Sequence, residues 1–214
     1  MKALLDLILP DRCGGCGSLG ENWCAECAAE LGRAPIRVRP RADPGIPCWA
    51  LGPYTGVGRR AVLAAKEQGR RDLAAPLGLA LAHALARLRA PDCPLLLVPA
   101  PTRTGAARRR GGDPVARSAV VAARWLIDCR TAPLLRMGRG VRDSVGLTTH
   151  ERRHNLRGRI MTVADPAEWV AIGAKAQVVL VDDVLTTGAT ACESTRVLSR
   201  IGIVPRAVLV TCAA

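Results

Sequence analysis

At 214 residues, 49% of them hydrophobic, the chain has enough length for one good core and a small appendage. A formal charge of +13 fits a polyphosphate ligand, a nucleic acid, or both; it comes from 31 basic residues, only three of them Lys, against 18 acids. No apolar run reaches the roughly 20 residues that span a bilayer, and with no Phe and 2% aromatics a stacking platform for single strands is sparse.

Met1 to Pro10 is mildly hydrophobic, but Asp6 interrupts it and no small-residue cleavage site follows. It reads as a docking helix rather than a signal peptide, and the expected location is cytoplasmic. Nine cysteines in such a chain argue for metal or free thiols over disulfides. Four of them form Cys13-Gly-Gly-Cys16, seven residues, then Cys24-Ala-Glu-Cys27. Two Cys-x2-Cys knuckles, with Gly14, Gly15 and Gly17 to allow the turns, suit a closed tetrahedral structural Zn2+. A redox pair or an iron–sulfur cluster is the alternative, without supporting context. The scattered Cys48, Cys93, Cys129, Cys192 and Cys212 read as small buried hydrophobes.

Residues 28–47 carry four Arg and four Pro, and are expected to form a linker or irregular arm. A zinc-binding segment and linker over 1–47 would then precede a single α/β domain over 48–214. Trp49–Tyr54 reads as a short strand, Gly58–Gln68 as a helix with Lys66 near its end, and a second helix runs from an Asp72 N-cap to Arg89. His83 lies mid-helix among Ala and Leu, as a packed or surface residue. Leu95–Pro99 is an apolar strand, followed by a loop with Arg103, Arg108, Arg109 and Arg110. Asp113-Pro114 is N-cap plus first turn of a helix to about Asp128. This strand, basic loop and helix make one phosphate-binding candidate. Leu134–Arg136 is an edge strand. The Arg-rich, Gly-containing stretch Gly138–Arg157, with His150 and His154, is a candidate lid. Arg159–Val163 and Ile203–Thr211 are further strands.

The most informative stretch is Val178 to Thr190, VVLVDDVLTTGAT. Its β-branched apolar start reads as a buried parallel strand, and a helix follows to Arg200, stopped at Gly202. Between them, Thr186, Thr187, Gly188, Ala189 and Thr190 offer hydroxyls and backbone N–H groups at a helix N-terminus, which suits a phosphate monoester. Asp182 and Asp183 can accept hydrogen bonds from a vicinal diol. Strands alternating with helices imply a mostly parallel sheet with helices on both faces.

This run resembles the phosphoribosyl-pyrophosphate (PRPP) signature of type I phosphoribosyltransferases. The four-cysteine knuckle, the Tyr54…Lys66 segment, Val98-Pro99-Ala100-Pro101 with Arg109-Arg110-Gly111, Leu147…Glu151-Arg152…Asn155-Leu156 and DDVLTTGAT occur in that order. Together they resemble the ComF (competence protein F, GntX-like) family, over nearly the full chain. Common members carry Phe-Asn-Gln where Gly112-Asp113-Pro114 stands, and a lid Gln where Ser144 stands. The resemblance implies a phosphoribosyltransferase fold in which Asp182 and Asp183 hold the ribose diol and Thr186 to Thr190 the 5′-phosphate. It further implies that Arg109 or Arg110 neutralises a pyrophosphate leaving group, that Mg2+ accompanies PRPP, and that Lys66, Arg152 and Asn155 add phosphate contacts. The acceptor is not implied. Three functions follow: a phosphoribosyltransferase, a PRPP- or nucleotide-sensing protein without turnover, and a single-stranded-DNA-handling protein working with DNA-uptake proteins.

Overall fold

A computed structural model of the chain describes residues 11–102, 112–138, 158–163 and 165–214. Its centre is a six-stranded sheet in the order β1 (Ile36–Val38), β2 (Cys48–Pro53), β8 (Ala207–Ala213), β7 (Gln177–Leu185), β3 (Leu95–Pro99), β4 (Cys129–Thr131). Only the β1–β2 pair is antiparallel; the other four pairs are parallel. The molecule is therefore α/β with a mostly parallel sheet flanked by helices. A separate hairpin joins β5 (Leu135–Met137) to β6 (Ile160–Thr162).

The helices are α1 (Ala25–Leu31), α2 (Gly56–Glu67), α3 (Ala74–Leu88), α4 (Pro114–Arg124), α5 (Ala167–Gly173) and α6 (Ala189–Arg200). Strand alternation divides the core into two layers. Val179, Val181, Ala207 and Leu209 pack toward α2, α3 and α4, with Leu77, Leu81 and Leu85. Val178, Leu180, Val208 and Val210 pack on the opposite face, with Val197 and Leu198 of α6. β3 and the Val178–Val181 half of β7 are buried on both faces, which is why they read as continuous apolar runs.

Chain connections diverge at one place in this sheet. From β3 the chain passes through α4 to β4 on one side; from β7 it passes through α6 to β8 on the other. The gap between β3 and β7 is thus the topological switch point, where ligands of open α/β sheets bind.

Several elements differ from the sequence expectations. Asp72 does not cap the helix before Arg89: Arg71–Leu73 forms a 3₁₀ turn, and Asp72 is turned to Arg70 at 2.6 Å. The helix after Asp113 ends at Arg124 rather than Asp128, because the chain must re-enter the sheet as β4. The expected edge strand at Leu134–Arg136 shifts by one residue, leaves the main sheet and pairs with β6. The arm over 28–47 supplies the end of α1 and the whole of β1 instead of a free linker. Among the described residues no helix is long and apolar enough to cross a membrane.

Candidate functional site

Asp182 and Asp183 lie inside β7, which continues past them to Leu185 beside β8. Asp183 shares the face of Val179 and Val181, toward α2. There its carboxylate receives Lys66 Nζ at 2.8 Å. Lys66 reaches it from the last turn of α2, whose buried side is Val57, Ala61, Val62, Ala64 and Ala65. Burial first, and the neighbouring Asp183 charge second, push the Asp182 carboxyl up to about 8, while Lys66 opposes the rise. The acid pair thus carries one lysine and a strong tendency to hold one proton.

A small pocket of about 20 Å³ lies against the pair, bounded by Lys66, Leu77, Val115, Ser118 and Thr211. Its far wall is the start of α4, where the Asp113 carboxylate accepts the Val115 and Ala116 N–H groups at 2.9 and 3.3 Å. The expected N-cap at Asp113 with Pro114 in the first turn is present.

After β7 the chain turns through Thr186 and Thr187 to Gly188, the N-cap of α6, with φ of +84°. Thr187 Oγ1 accepts the Ala189 N–H at 3.4 Å. This loop leaves the sheet beside β3, whose last residue Pro99 pairs with Val181, and Ala100 donates to the Val181 carbonyl at 2.7 Å. Arg109 and Arg110, with Arg152, Asn155, Ser144, His150, His154 and the Met1–Pro10 segment, lie outside the described residues. His83 is exposed on α3.

Two contributions to this region have no signal in the local sequence. Ala42, from the Arg/Pro arm, donates its N–H to the Thr187 carbonyl at 2.8 Å. Buried Glu193, on α6, accepts the Gly158 N–H at 2.7 Å and pairs with Arg196 at 2.5 Å. The Ala42–Thr187 and Glu193–Gly158 contacts join residues far apart in the chain.

The second site is the four-cysteine cluster. The thiols of Cys13, Cys16, Cys24 and Cys27 lie within 4.8 Å of one another. Cys13–Cys24, Cys13–Cys27 and Cys16–Cys24 sulfurs stand 3.6, 3.7 and 3.6 Å apart. A tetrahedron of sulfurs at about 2.3 Å from a central ion has edges of about 3.8 Å, so these four fit a metal ion such as zinc. The same separations are far too long for disulfides. Burial raises the Cys13 thiol, but hydrogen bonds from the Cys16, Cys24 and Gly15 backbone outweigh it and bring the thiol down to about 6. Burial and the neighbouring thiols push Cys27 well above the usual range. A metal cation at their centre would hold all four as thiolates.

The cluster is docked against α2. Arg60 donates to the Gly15 carbonyl, and a Cβ on Gly15 would stand 2.5 Å from Cys27 Sγ and 2.8 Å from Val57. So Gly15 serves close approach, not only the turn. Beyond α2, Arg70 donates to the Arg12 carbonyl at 3.0 Å and to Asn22 Oδ1 at 3.1 Å. The helix that presents Lys66 is gripped by the cysteine module near both ends. Of the scattered cysteines, Cys48 and Cys212 are buried as expected, while Cys93, Cys129 and Cys192 are half-buried.

No protein-family model and no curated protein matches this chain.

Proposed function

We propose that the protein is a ComF-like member of the type I phosphoribosyltransferase fold that binds PRPP with Mg2+ at the switch point between β3 and β7. The observation that carries this reading is the placement of the Asp182–Asp183 pair. It lies one turn of chain before a Gly-containing helix N-terminus, with a lysine on it, at the crevice where such sheets take ligands. The ribose diol donates to the two carboxylates, and the backbone N–H groups of the Thr186–Thr190 loop receive the 5′-phosphate. Lys66 exchanges its bond to Asp183 for the ligand's phosphates when the diol arrives.

If the chain turns PRPP over, the reaction is a displacement at ribose C1. The C1–oxygen bond to pyrophosphate breaks, its electron pair leaves on the pyrophosphate oxygen, and the acceptor's lone pair forms the new bond to C1. Positive charge builds on the ribose ring in that step, and negative charge on the leaving group, which Arg109 or Arg110 neutralises. The hard carboxylate oxygens of Asp182 and Asp183 suit Mg2+ and would hold the ion that accompanies PRPP, which would supply further neutralisation of the leaving group's charge. The cysteine module holds zinc in a folding role, since all four positions are taken by thiolates.

Calorimetric titration with PRPP and Mg2+ tests the site, with the Asp182→Asn/Asp183→Asn variant alongside. Binding by wild type that is lost in the variant supports the assignment; equal affinity in both overturns it. The +13 charge favours a second reading, a single-stranded-DNA-handling protein that keeps the pocket without turnover. A steep fall of DNA affinity with salt, without pyrophosphate release, would be its signature.

A further inference from the structure

The arm between β1 and β2 looks, from its Arg/Pro composition, like a spacer. Instead its residues 40 to 42 lie directly on the loop that opens α6. Ala42 is 3% exposed and its N–H donates to the Thr187 carbonyl at 2.8 Å. A Cβ built on Gly188 would stand 2.2 Å from the Ala42 carbonyl oxygen and 2.8 Å from Pro40 Cβ, so the arm packs directly on the loop at Gly188. Val38 and Ile46 pack into the core layer that holds α6, which anchors the arm on either side of the contact.

The consequence follows from peptide geometry. A trans peptide is planar, with C=O and N–H pointing in opposite directions. Because the Thr187 carbonyl is tied to Ala42, the Gly188 N–H of the same peptide is turned away from the arm. Among the described residues that N–H meets no acceptor. Were the peptide flipped, a carbonyl oxygen would face the position proposed for the phosphate, and the anion site would be lost. Gly188, at φ +84°, is the residue whose backbone tolerates either orientation, so an outside constraint is needed to choose one.

We infer that Ala42 is a positioning residue for the phosphate-binding loop: its N–H fixes the Thr187–Gly188 peptide so that the Gly188 N–H is presented to a ligand phosphate monoester. This rests on the PRPP reading. It adds the arm, which that reading does not need, to the ligand site.

The test uses the full-length, zinc-loaded protein with ribose 5-phosphate, and inorganic pyrophosphate with Mg2+ as a separate probe. Ala42→Pro removes the N–H, and Ala42→Ser keeps it. The expected result is a loss of ribose 5-phosphate affinity of about tenfold or more in Ala42→Pro, since hydrogen bonds to charged groups are the strong ones. Pyrophosphate affinity stays within about twofold, and Ala42→Ser restores ribose 5-phosphate binding. Equal losses for both probes, or none for either, would overturn the inference. Should Ala42→Pro fail to fold, amide exchange on wild type decides the matter. The Ala42 amide must be protected without ligand, and the Gly188 amide must become protected on adding ribose 5-phosphate. A Gly188 amide unaffected by bound ribose 5-phosphate refutes the positioning role. No ribose 5-phosphate binding by wild type refutes the PRPP reading itself, and the inference with it.

Discussion

Lys66 Nζ stands 2.8 Å from Asp183 Oδ2, joining the last turn of α2 to the end of β7 across the mouth of the small pocket. The pair keeps one of two adjacent carboxylates neutralised before any ligand arrives. In the proposed PRPP complex, a diol at Asp183 would compete with this lysine for the carboxylate. Both partners retain solvent access, so the pair's contribution to stability is modest. Lys66→Met should cost no more than about 1 kcal/mol in urea unfolding and should weaken PRPP binding far more than it weakens the fold. A variant that binds PRPP as well as wild type would remove Lys66 from the site.

Asp182 titrates where few carboxyls do. Its folded-state value is raised to about 8, from an ordinary 3.8, by burial and by Asp183. The folded protein therefore holds a proton that the unfolded chain releases between those values. The stability this proton provides is present below pH 4 and declines as pH rises through about 8. Asp182→Asn should flatten that decline and be the more stable protein at pH 9, measured by thermal unfolding against pH. The same proton must leave when a diol takes the carboxylate. PRPP binding at pH 7 should then release protons, seen as a binding enthalpy that varies with the ionisation enthalpy of the buffer.

Metal removal should reach beyond the cysteines. The module touches α2 through Arg60 and the following loop through Arg70, so its collapse loosens the helix that carries Lys66. Chelation, or Cys27→Ser, should lower the melting temperature by about 10 °C or more, given the free energy a structural zinc contributes. Zinc content by atomic emission should fall in step. Full thermal stability in the metal-free protein would refute a structural role.

The first turn of α4 forms one wall of the pocket and is held by a single side chain. Asp113→Ala removes the acceptor for two N–H groups at 2.9 and 3.3 Å and should cost about 1 kcal/mol. Unchanged stability would mean that solvent replaces the cap.

Gly188→Ala is expected to be the most damaging substitution in the loop. It combines a left-handed backbone with a Cβ 2.2 Å from the Ala42 carbonyl, which cannot yield without moving the arm. Circular dichroism should show a folded protein destabilised by about 2 kcal/mol or more, with ribose 5-phosphate binding lost. A variant as stable as wild type would mean that the arm does not press on the loop.

Local patterns determined what local physics controls. The apolar run Leu95–Pro99, the strand through Val178–Val181, the helix Ala189–Arg200 and the Asp113 cap all appear where the sequence places them, because each depends on short-range periodicity, capping or burial of a continuous run. The cysteine quartet was legible because its spacing alone brings four thiols to one centre. Tertiary structure decided the rest. Ile36–Val38 and Cys129–Thr131 are three-residue edge strands, too short to leave a period, and exist only because a neighbouring strand offers a ladder. Asp72 turned to Arg70 instead of capping a helix, since the guanidinium was already fixed against the cysteine module. The meeting of Lys66 with Asp183, and of Ala42 with Thr187, depends on how the chain crosses the sheet. Contacts across more than 100 residues are set by the packing of whole elements, and no local pattern encodes them.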